Sequence, residues 1–299
     1  MRIEELILIS NVDHHQMNGT IYRPAKVEKM VLLIHGMAEH ELRYKDVATQ
    51  LVKENCLVLC PDLRGHGRSP HDSTMGYFAK SDGAFKMVRD LYQLVKQIQE
   101  TYPVELILLG HSMGALFALD YLKRYPKDIK GVIISGTPAK NDLATIAKGL
   151  LNLVAKRKPK EPNVMIQNLM NKTFNKGIQN PTSDIDWVSA NSMSRQMYQE
   201  DSLCGFPLTN AGYVDLFSLL ESVYHTSKWR INDEELPIFI LNGQHDPVSN
   251  STETKSLLNK KGYENVTIYN YEASRHEIYF DNDHKKVLSD LIEIVKNLT

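Results

Sequence analysis

The chain contains the stretch Leu106-Ile107-Leu108-Leu109-Gly110-His111-Ser112-Met113-Gly114-Ala115, an apolar run followed by Gly-x-Ser-x-Gly and the start of a helical pattern. This order predicts a buried parallel strand that turns sharply into a helix, with Ser112 on the turn. The two glycines leave room for the bend. Ser112 would then stand exposed at the carboxyl edge of a sheet, beside helix amides that favour negative charge. Such a stretch is typical of a serine nucleophile.

Strand and helix patterns alternate on both sides of this stretch. Continuous apolar runs predict buried strands at residues 30–34, 56–60, 106–110, 131–135, 237–243 and 266–269. A hairpin precedes them, with strands at 3–9 and 20–23 and a turn at Asn18-Gly19. The alternation predicts an α/β fold with a mostly parallel central sheet flanked by helices.

The alternation is interrupted between residues 138 and 228, where helical patterns and polar loops occur without a convincing buried strand. We therefore predict three segments. Residues 1–137 form the first part of an α/β core, residues 138–228 form an inserted helical cap, and residues 229–299 form the second part of the core.

One helix of the predicted cap carries an apolar stripe, and a basic segment follows it. The stripe consists of Leu143, Ile146, Ala147, Leu150, Leu151 and Val154, and the basic segment is Lys156-Arg157-Lys158-Pro159-Lys160. Such stripes are mostly packed against a core, so we expect this helix to lie on the sheet domain. The alternative is an amphipathic helix that touches an anionic membrane and collects lipid there.

Composition excludes several classes of protein. The chain has 299 residues, 42% of them hydrophobic, which is enough for a sizeable core. Its 35 basic and 36 acidic residues nearly cancel, so no overall field recruits nucleic acid. The amino terminus lacks the apolar stretch of a signal peptide, and no apolar run is long enough to span a bilayer. With three sparse cysteines that lack metal-ligand spacing, we expect a cytoplasmic protein without a metal site, of undefined oligomeric state.

The serine hydroxyl needs a base, usually a histidine, and that histidine needs an acceptor on its other nitrogen. In the predicted topology both lie on loops just past strand ends. Asp246 and His276 occupy such loops, and the chain order Ser112, Asp246, His276 is the one expected of this fold. Glu277 is a rival acid, whereas Asp62 fits better as the anchor of its own glycine-rich loop. Four other histidines near this edge are expected to hydrogen-bond loop backbone: His35, His40, His66 and His111.

The negative oxygen that forms during attack on a carbonyl needs two backbone donors. The amide of Met113 directly follows the predicted nucleophile. Met37, in the loop after the strand that ends near His35-Gly36, is the natural source of the second amide. We therefore predict an oxyanion hole made by the backbone N–H groups of Met37 and Met113.

Together these motifs resemble the monoacylglycerol lipase and lysophospholipase branch of the α/β hydrolases, a branch also labelled serine aminopeptidase. The resemblance is carried by His35-Gly36-Met37-Ala38-Glu39-His40, Asp62-Leu63-Arg64-Gly65-His66-Gly67-Arg68-Ser69, Gly110-His111-Ser112-Met113-Gly114, Asp246-Pro247-Val248 and His276-Glu277. It implies Ser112 as nucleophile, His276 as base and Asp246 as orienting acid, with the amides of Met37 and Met113 as oxyanion hole. It also implies an α/β-hydrolase fold that needs no cofactor. The cap matches loosely and looks like a bacterial version.

We expect a serine hydrolase that cleaves a small carboxylic ester with an apolar acyl chain, of monoacylglycerol or lysophospholipid type. The acyl group would pass through an acyl-enzyme on Ser112 and would lie between the sheet edge and the cap. The same three side chains could instead serve amide, peptide, thioester or C–C bond hydrolysis. A binding protein on a hydrolase scaffold is a further alternative.

Overall fold

The predicted apolar runs form strands of a single sheet. A computed structural model describes residues 1–224 and 229–298, without the side chains of 142–145. The strands are β1 (Arg2–Ile9), β2 (Gln16–Arg23), β3 (Lys29–Ile34), β4 (Cys56–Pro61), β5 (Leu106–His111), β6 (Ile129–Ser135), β7 (Ile238–Gly243) and β8 (Val266–Tyr271). Their order is β1-β2-β4-β3-β5-β6-β7-β8. The pairs β1–β2 and β2–β4 are antiparallel and the others are parallel, which confirms the predicted fold class.

Helices connect and cover these strands. Those in the described part of the chain are α1 (Lys45–Lys53), α2 (Gly83–Thr101), α3 (Met113–Arg124), α4 (Asp142–Ala155), α5 (Val164–Phe174), α6 (Ser192–Glu200), α7 (Asn210–Tyr224), α8 (Ser251–Lys260) and α9 (His284–Asn297). Short 3-10 turns cover Glu41–Tyr44 and Asn175–Gly177. Strand β5, with Ser112 at its end, therefore lies between β3 and β6 inside the sheet.

The central strands β3, β4 and β5 are buried on both faces, which explains why their sequences are almost continuously apolar. Along β3, Met30 and Leu32 belong to one hydrophobic cluster, together with residues of α2, α3 and α7. Val31 and Leu33 belong to the other cluster, together with residues of α1 and α9. Because neighbouring side chains of a strand point to opposite faces, covering both faces requires an apolar residue at every position.

The position predicted for the first hairpin turn is wrong. The turn lies at residues 10–15, and Asn18-Gly19 lies inside β2, where Gly19 pairs with Leu6. A Cβ at Gly19 would lie 2.3 Å from the carbonyl oxygen of Cys60 in β4. This glycine therefore permits a close approach of two strands and does not form a turn.

The segment between β6 and β7 contains α4 to α7, and its described residues include no strand of the sheet. The carboxyl end of the predicted cap, residues 225–228, lies outside the described residues. The three-segment division therefore stays a prediction. In the part of the chain that is described, no helix is both long enough and apolar enough to cross a membrane.

The apolar stripe of α4 points partly away from the core. Leu151 is buried in the hydrophobic cluster beside α7, but Ile146, Leu150 and Val154 are exposed. The side chain of Leu143 lies outside the described residues. The expectation that this stripe packs on the sheet domain is therefore wrong for these three side chains, which leave an apolar surface open to solvent.

Candidate active site

Ser112 lies on the sharp turn that the sequence predicts. It separates β5 from α3 and has φ 53° and ψ −117°, a left-handed region that side chains other than glycine rarely adopt. A Cβ on Gly110 would lie 2.4 Å from the carbonyl oxygen of Gly114, and a Cβ on Gly114 would lie 2.0 Å from that of Ile34. Both flanking glycines are therefore required by close backbone packing around the serine.

The structure brings the three predicted side chains together. His276 follows β8, Asp246 follows β7, and the two loops meet at the edge where β5 ends. The Nε2 atom of His276 lies 2.8 Å from Ser112 Oγ, and its Nδ1 atom lies 2.9 Å from Asp246 Oδ2. An ionised carboxylate only accepts hydrogen bonds, so Nδ1–H donates to Asp246 and Nε2 accepts from the serine hydroxyl. This is the tautomer that can remove a proton from Ser112.

Asp246 is held in place by further donors. The hydroxyl of Ser249 donates to Oδ2 at 2.7 Å, and the amide of Val248 donates to Oδ1 at 2.8 Å. Burial raises the pKa of Asp246, but the charge and hydrogen bond of His276 and these two donors outweigh burial and lower it overall. The carboxylate therefore stays ionised at neutral pH.

The surroundings of His276 favour its protonated form. Burial lowers the pKa of the imidazole, but the charge of Asp246 and the hydrogen bond to it reverse this, so the pKa is raised above its usual value. His111 contacts His276 with ring centroids 4.9 Å apart. Burial, and secondly the charge of His276, lowers the pKa of His111 to about 3, so this neighbour is neutral. Of these two imidazoles, His276 is therefore the one that takes up a proton.

The rival acids have other partners. Glu277 accepts two hydrogen bonds from the guanidinium of Arg43, at 2.6 and 2.7 Å. Asp62 accepts from the amide of Arg68 at 2.9 Å and from the amide of Glu41 at 3.0 Å, as expected of the anchor of its loop. Neither carboxylate takes the position that Asp246 occupies beside the imidazole.

The two predicted oxyanion donors lie on adjacent strand ends. Met113 is the first residue of α3, where amides have no intrahelical acceptor, and Met37 lies in the turn after β3. The next residue, Ala38, has φ 52°. Its carbonyl accepts from the amide of Gly205 at 2.9 Å and from the hydroxyl of Tyr198 at 3.1 Å. Residues of the predicted cap therefore hold the loop that carries Met37.

A buried ionic cluster links the two loops, and sequence reasoning missed it. Arg43 bridges Glu277, beside the imidazole, and Glu39, whose carboxylate accepts from the amide of Gly36 and from the hydroxyl of Tyr44. Glu39 and Arg43 stand four residues apart, a spacing that favours an ion pair, but this signal does not reveal the third partner. The cluster ties the turn of Met37 to the loop of His276.

One group in the described part of the chain has the composition of a metal site. His40, Asp201 and Cys204 place their potential ligand atoms within 4.8 Å of one another. His40 Nε2 lies 2.8 Å from Asp201 Oδ2, so these two potential ligand atoms already contact each other directly. Burial raises the pKa of Cys204 above its ordinary value, which disfavours the thiolate that a metal would need.

Comparisons with known proteins agree with the fold and the motifs. The chain is similar to the monoacylglycerol lipase of Mycolicibacterium smegmatis, 26% identical over 263 residues, which cover 88% of this chain and 86% of that protein. It is also similar to the monoglyceride lipase of Rattus norvegicus, 26% identical over 287 residues, which cover 92% of this chain and 84% of that protein.

Solved structures share the same architecture. A highly thermostable carboxyl esterase from Bacillus coagulans, in complex with glycerol, matches with a TM-score of 0.90 at 24% identity, covering 100% of this chain and 99% of that one. Residues 25–283 of the chain match the family described as serine aminopeptidase, S33. That match spans most of the sheet, the serine turn and the loops of Asp246 and His276. The chain therefore belongs to the serine aminopeptidase S33 family of α/β hydrolases.

Proposed function

We propose that the chain is a serine hydrolase that cleaves carboxylic esters of the monoacylglycerol type. One observation carries this proposal: the continuous chain of contacts from Asp246 through His276 to Ser112, at 2.9 and 2.8 Å. The similarity to proteins named monoacylglycerol lipase, which extends over most of both chains, supports the choice of substrate class.

The geometry suits a two-step acyl transfer. Ser112 Oγ attacks the ester carbonyl while its proton passes to His276 Nε2, and the amides of Met37 and Met113 stabilise the negative oxygen. Collapse of this intermediate breaks the ester bond, and the departing alkoxide takes the proton from His276 as glycerol or another alcohol. Water then gives its proton to His276 and attacks the acyl-enzyme. The second collapse releases the fatty acid and restores the serine.

A panel of substrates with one common acyl group tests this function. We expect turnover of 1-monoacylglycerols, with kcat/KM rising by up to about fourfold for each methylene that enters an apolar pocket. Lysophospholipids, thioesters and amides of the same acyl group are measured for comparison. The amide is included because the family is described as serine aminopeptidase. Faster hydrolysis of the amide or thioester would replace the proposed reaction, and a folded protein that hydrolyses none of them would refute it.

We also propose that the predicted cap contacts a lipid surface through an apolar patch on α4. Ile146, Leu150 and Val154 recur every four residues, so they share one helix face, and Leu150 is 67% exposed. Contiguous exposed apolar side chains of this kind mark interaction surfaces. The exposed basic residues Lys156 and Arg157 directly follow the helix, which suits an anionic membrane.

Paired serine substitutions test this contact. Ile146→Ser with Leu150→Ser is expected to weaken binding to vesicles of phosphatidylcholine and phosphatidylglycerol by at least about tenfold, since two apolar side chains no longer enter the lipid. Hydrolysis of a water-soluble short ester should be unchanged. The matched control is Ile3→Ser with Ile7→Ser, two exposed isoleucines of β1. Equal vesicle binding by both double variants, or a wild-type protein that does not bind vesicles, would exclude the contact.

A further inference from the structure

The indole of Trp187 packs against the imidazole of His276. Their ring centroids lie 5.3 Å apart and their planes are tilted by 49°. Trp187 belongs to the segment between α5 and α6, within the predicted cap, and only 9% of its surface is exposed. A side chain from the cap segment is therefore in direct contact with the histidine on which the proposed reaction depends.

The indole is fixed by residues at the end of α5. Its Nε1–H donates to Asn171 Oδ1 at 3.2 Å, and the backbone amide of Trp187 donates to Asn175 Oδ1 at 2.9 Å. The ring of Phe174 packs against the indole with centroids 4.9 Å apart. Because the ring, the side-chain N–H and the backbone amide of Trp187 all have partners, its indole is held in one orientation beside the imidazole.

The segment that carries Trp187 is also hydrogen-bonded to the loop that carries the histidine. The amide of Glu277 donates to the carbonyl of Val188 at 2.8 Å. The carboxylate of Asp281 accepts from the amide of Ala190 at 2.9 Å and from the amide of Arg275 at 2.8 Å. These bonds join the backbone that directly follows Trp187 to the backbone on both sides of the imidazole, in part through the carboxylate of Asp281, so the two segments keep their relative position.

We infer that Trp187 is a positioning residue for His276, which keeps the imidazole directed at Ser112 and stabilises the imidazolium formed when the serine is deprotonated. The face of an indole attracts a cation within about 6 Å of its centroid, and the attraction strengthens where water is excluded. The inference rests on the proposed role of His276 as base. It adds a task for the cap segment besides substrate selection.

Several other charged and titratable groups also affect the charge of His276. Asp246 bonds Nδ1, while Glu277 and Glu39 add negative charge that raises the pKa of the imidazole. Both glutamates are paired with Arg43, and His111 is neutral at the pH of the reaction. Burial acts against the imidazolium throughout. The indole therefore contacts an imidazole that becomes a cation when it takes the serine proton, a charge that burial opposes.

Kinetics of Trp187 variants test the inference on a short, water-soluble ester. Trp187→Leu keeps an apolar cover without an aromatic face, and we expect kcat to fall about ten- to a hundredfold while KM changes less than about twofold. Loss of the aromatic face should also lower the pKa seen on the acidic side of the kcat/KM profile by about half a pH unit. Trp187→Phe should recover most of the activity.

The matched control is Trp229→Leu. Trp229, the second of the two tryptophans, packs on Tyr263 and Lys261, away from the serine turn. It should keep wild-type kcat and pH profile. Thermal unfolding of each variant shows whether the fold is retained. A folded Trp187→Leu protein with wild-type kcat and pH profile would overturn the inference, as would an equal loss in Trp229→Leu.

Fluorescence gives a readout that does not depend on turnover. In Trp229→Phe, Trp187 is the one remaining tryptophan, and an adjacent imidazolium quenches indole emission more strongly than neutral imidazole does. We expect its emission to fall with pH along the titration of His276, and to lose this dependence when His276→Gln is added. If the emission of Trp187 did not change over the pH range in which His276 titrates, the contact would be refuted. Failure of the proposed function would instead appear as a wild type that hydrolyses no ester.

Discussion

Replacing Ser112 with alanine is expected to lower kcat for ester hydrolysis by about 10⁵- to 10⁶-fold, the loss seen when a serine nucleophile is removed. The acyl group then has no oxygen to bind, so the remaining rate reflects substrate binding and the oxyanion donors alone. Alanine carries the same backbone strain at φ 53° as serine does, and the fold should survive. Steady-state kinetics with a monoacylglycerol, together with thermal unfolding, measure both effects.

Covalent labelling makes the same prediction independently of the substrate. A fluorophosphonate probe should label the wild type and Ser202→Ala, the substitution of an exposed serine, but should leave Ser112→Ala unlabelled. Labelling of Ser112→Ala would place the nucleophile elsewhere. A wild type that neither reacts with the probe nor hydrolyses esters would favour a binding protein on this scaffold.

Replacing Asp246 with asparagine is expected to lower kcat by about 10⁴-fold with little change in stability. The carboxylate accepts from Nδ1–H of His276 at 2.9 Å. An asparagine amide can donate there instead, which moves the imidazole proton to Nε2 and leaves no acceptor for the hydroxyl of Ser112. Kinetics at several pH values and thermal unfolding test this prediction.

The dependence of activity on pH provides a second test of the role of Asp246. His276 must be neutral to act as base, so activity falls as pH drops through its pKa, which Asp246 raises above the usual value. Without the carboxylate, the acidic side of the profile should move to lower pH. Asp233→Asn, at an exposed position, is the matched control and should resemble wild type. Near-normal turnover of Asp246→Asn would transfer the role of acid to another carboxylate.

The central strands of the parallel sheet were predictable because both of their faces are buried. The runs at 30–34 and 106–110 contain no polar side chain. A short, continuously apolar run is typical of a strand that is covered on both faces. The hairpin was less predictable. Asn18-Gly19 is typical of a turn, but Gly19 is required by the approach of Cys60, a residue that lies far along the chain.

The three side chains at the candidate site were also found from the sequence, because parallel strands place their carboxyl ends at one edge. A loop that follows such a strand must open at that edge, so Asp246 and His276 could be selected by position alone. The contacts of Asp246 with His276 and of His276 with Ser112 depend on strand order. In the sheet, β5, β6, β7 and β8 are consecutive neighbours, which brings the loops together.

The contacts that hold these three side chains in place could not be predicted from the sequence. Arg43 contacts Glu277, 234 positions away, and Trp187 contacts His276 from the segment between α5 and α6. No periodicity or short motif encodes such pairs, since each depends on how two distant loops fold onto one another. A deletion of residues 138–228 would therefore remove part of the support of His276.

Local sequence determined the central strands, the serine turn and the chain order of the three side chains, because the strands depend on burial of neighbouring residues and the turn on the freedom of glycine. The direction of the α4 stripe was decided only in three dimensions. Its spacing indicates an apolar helix face, but whether that face meets a core or solvent depends on what else covers it. In the folded chain Leu151 lies against the core and Leu150 does not.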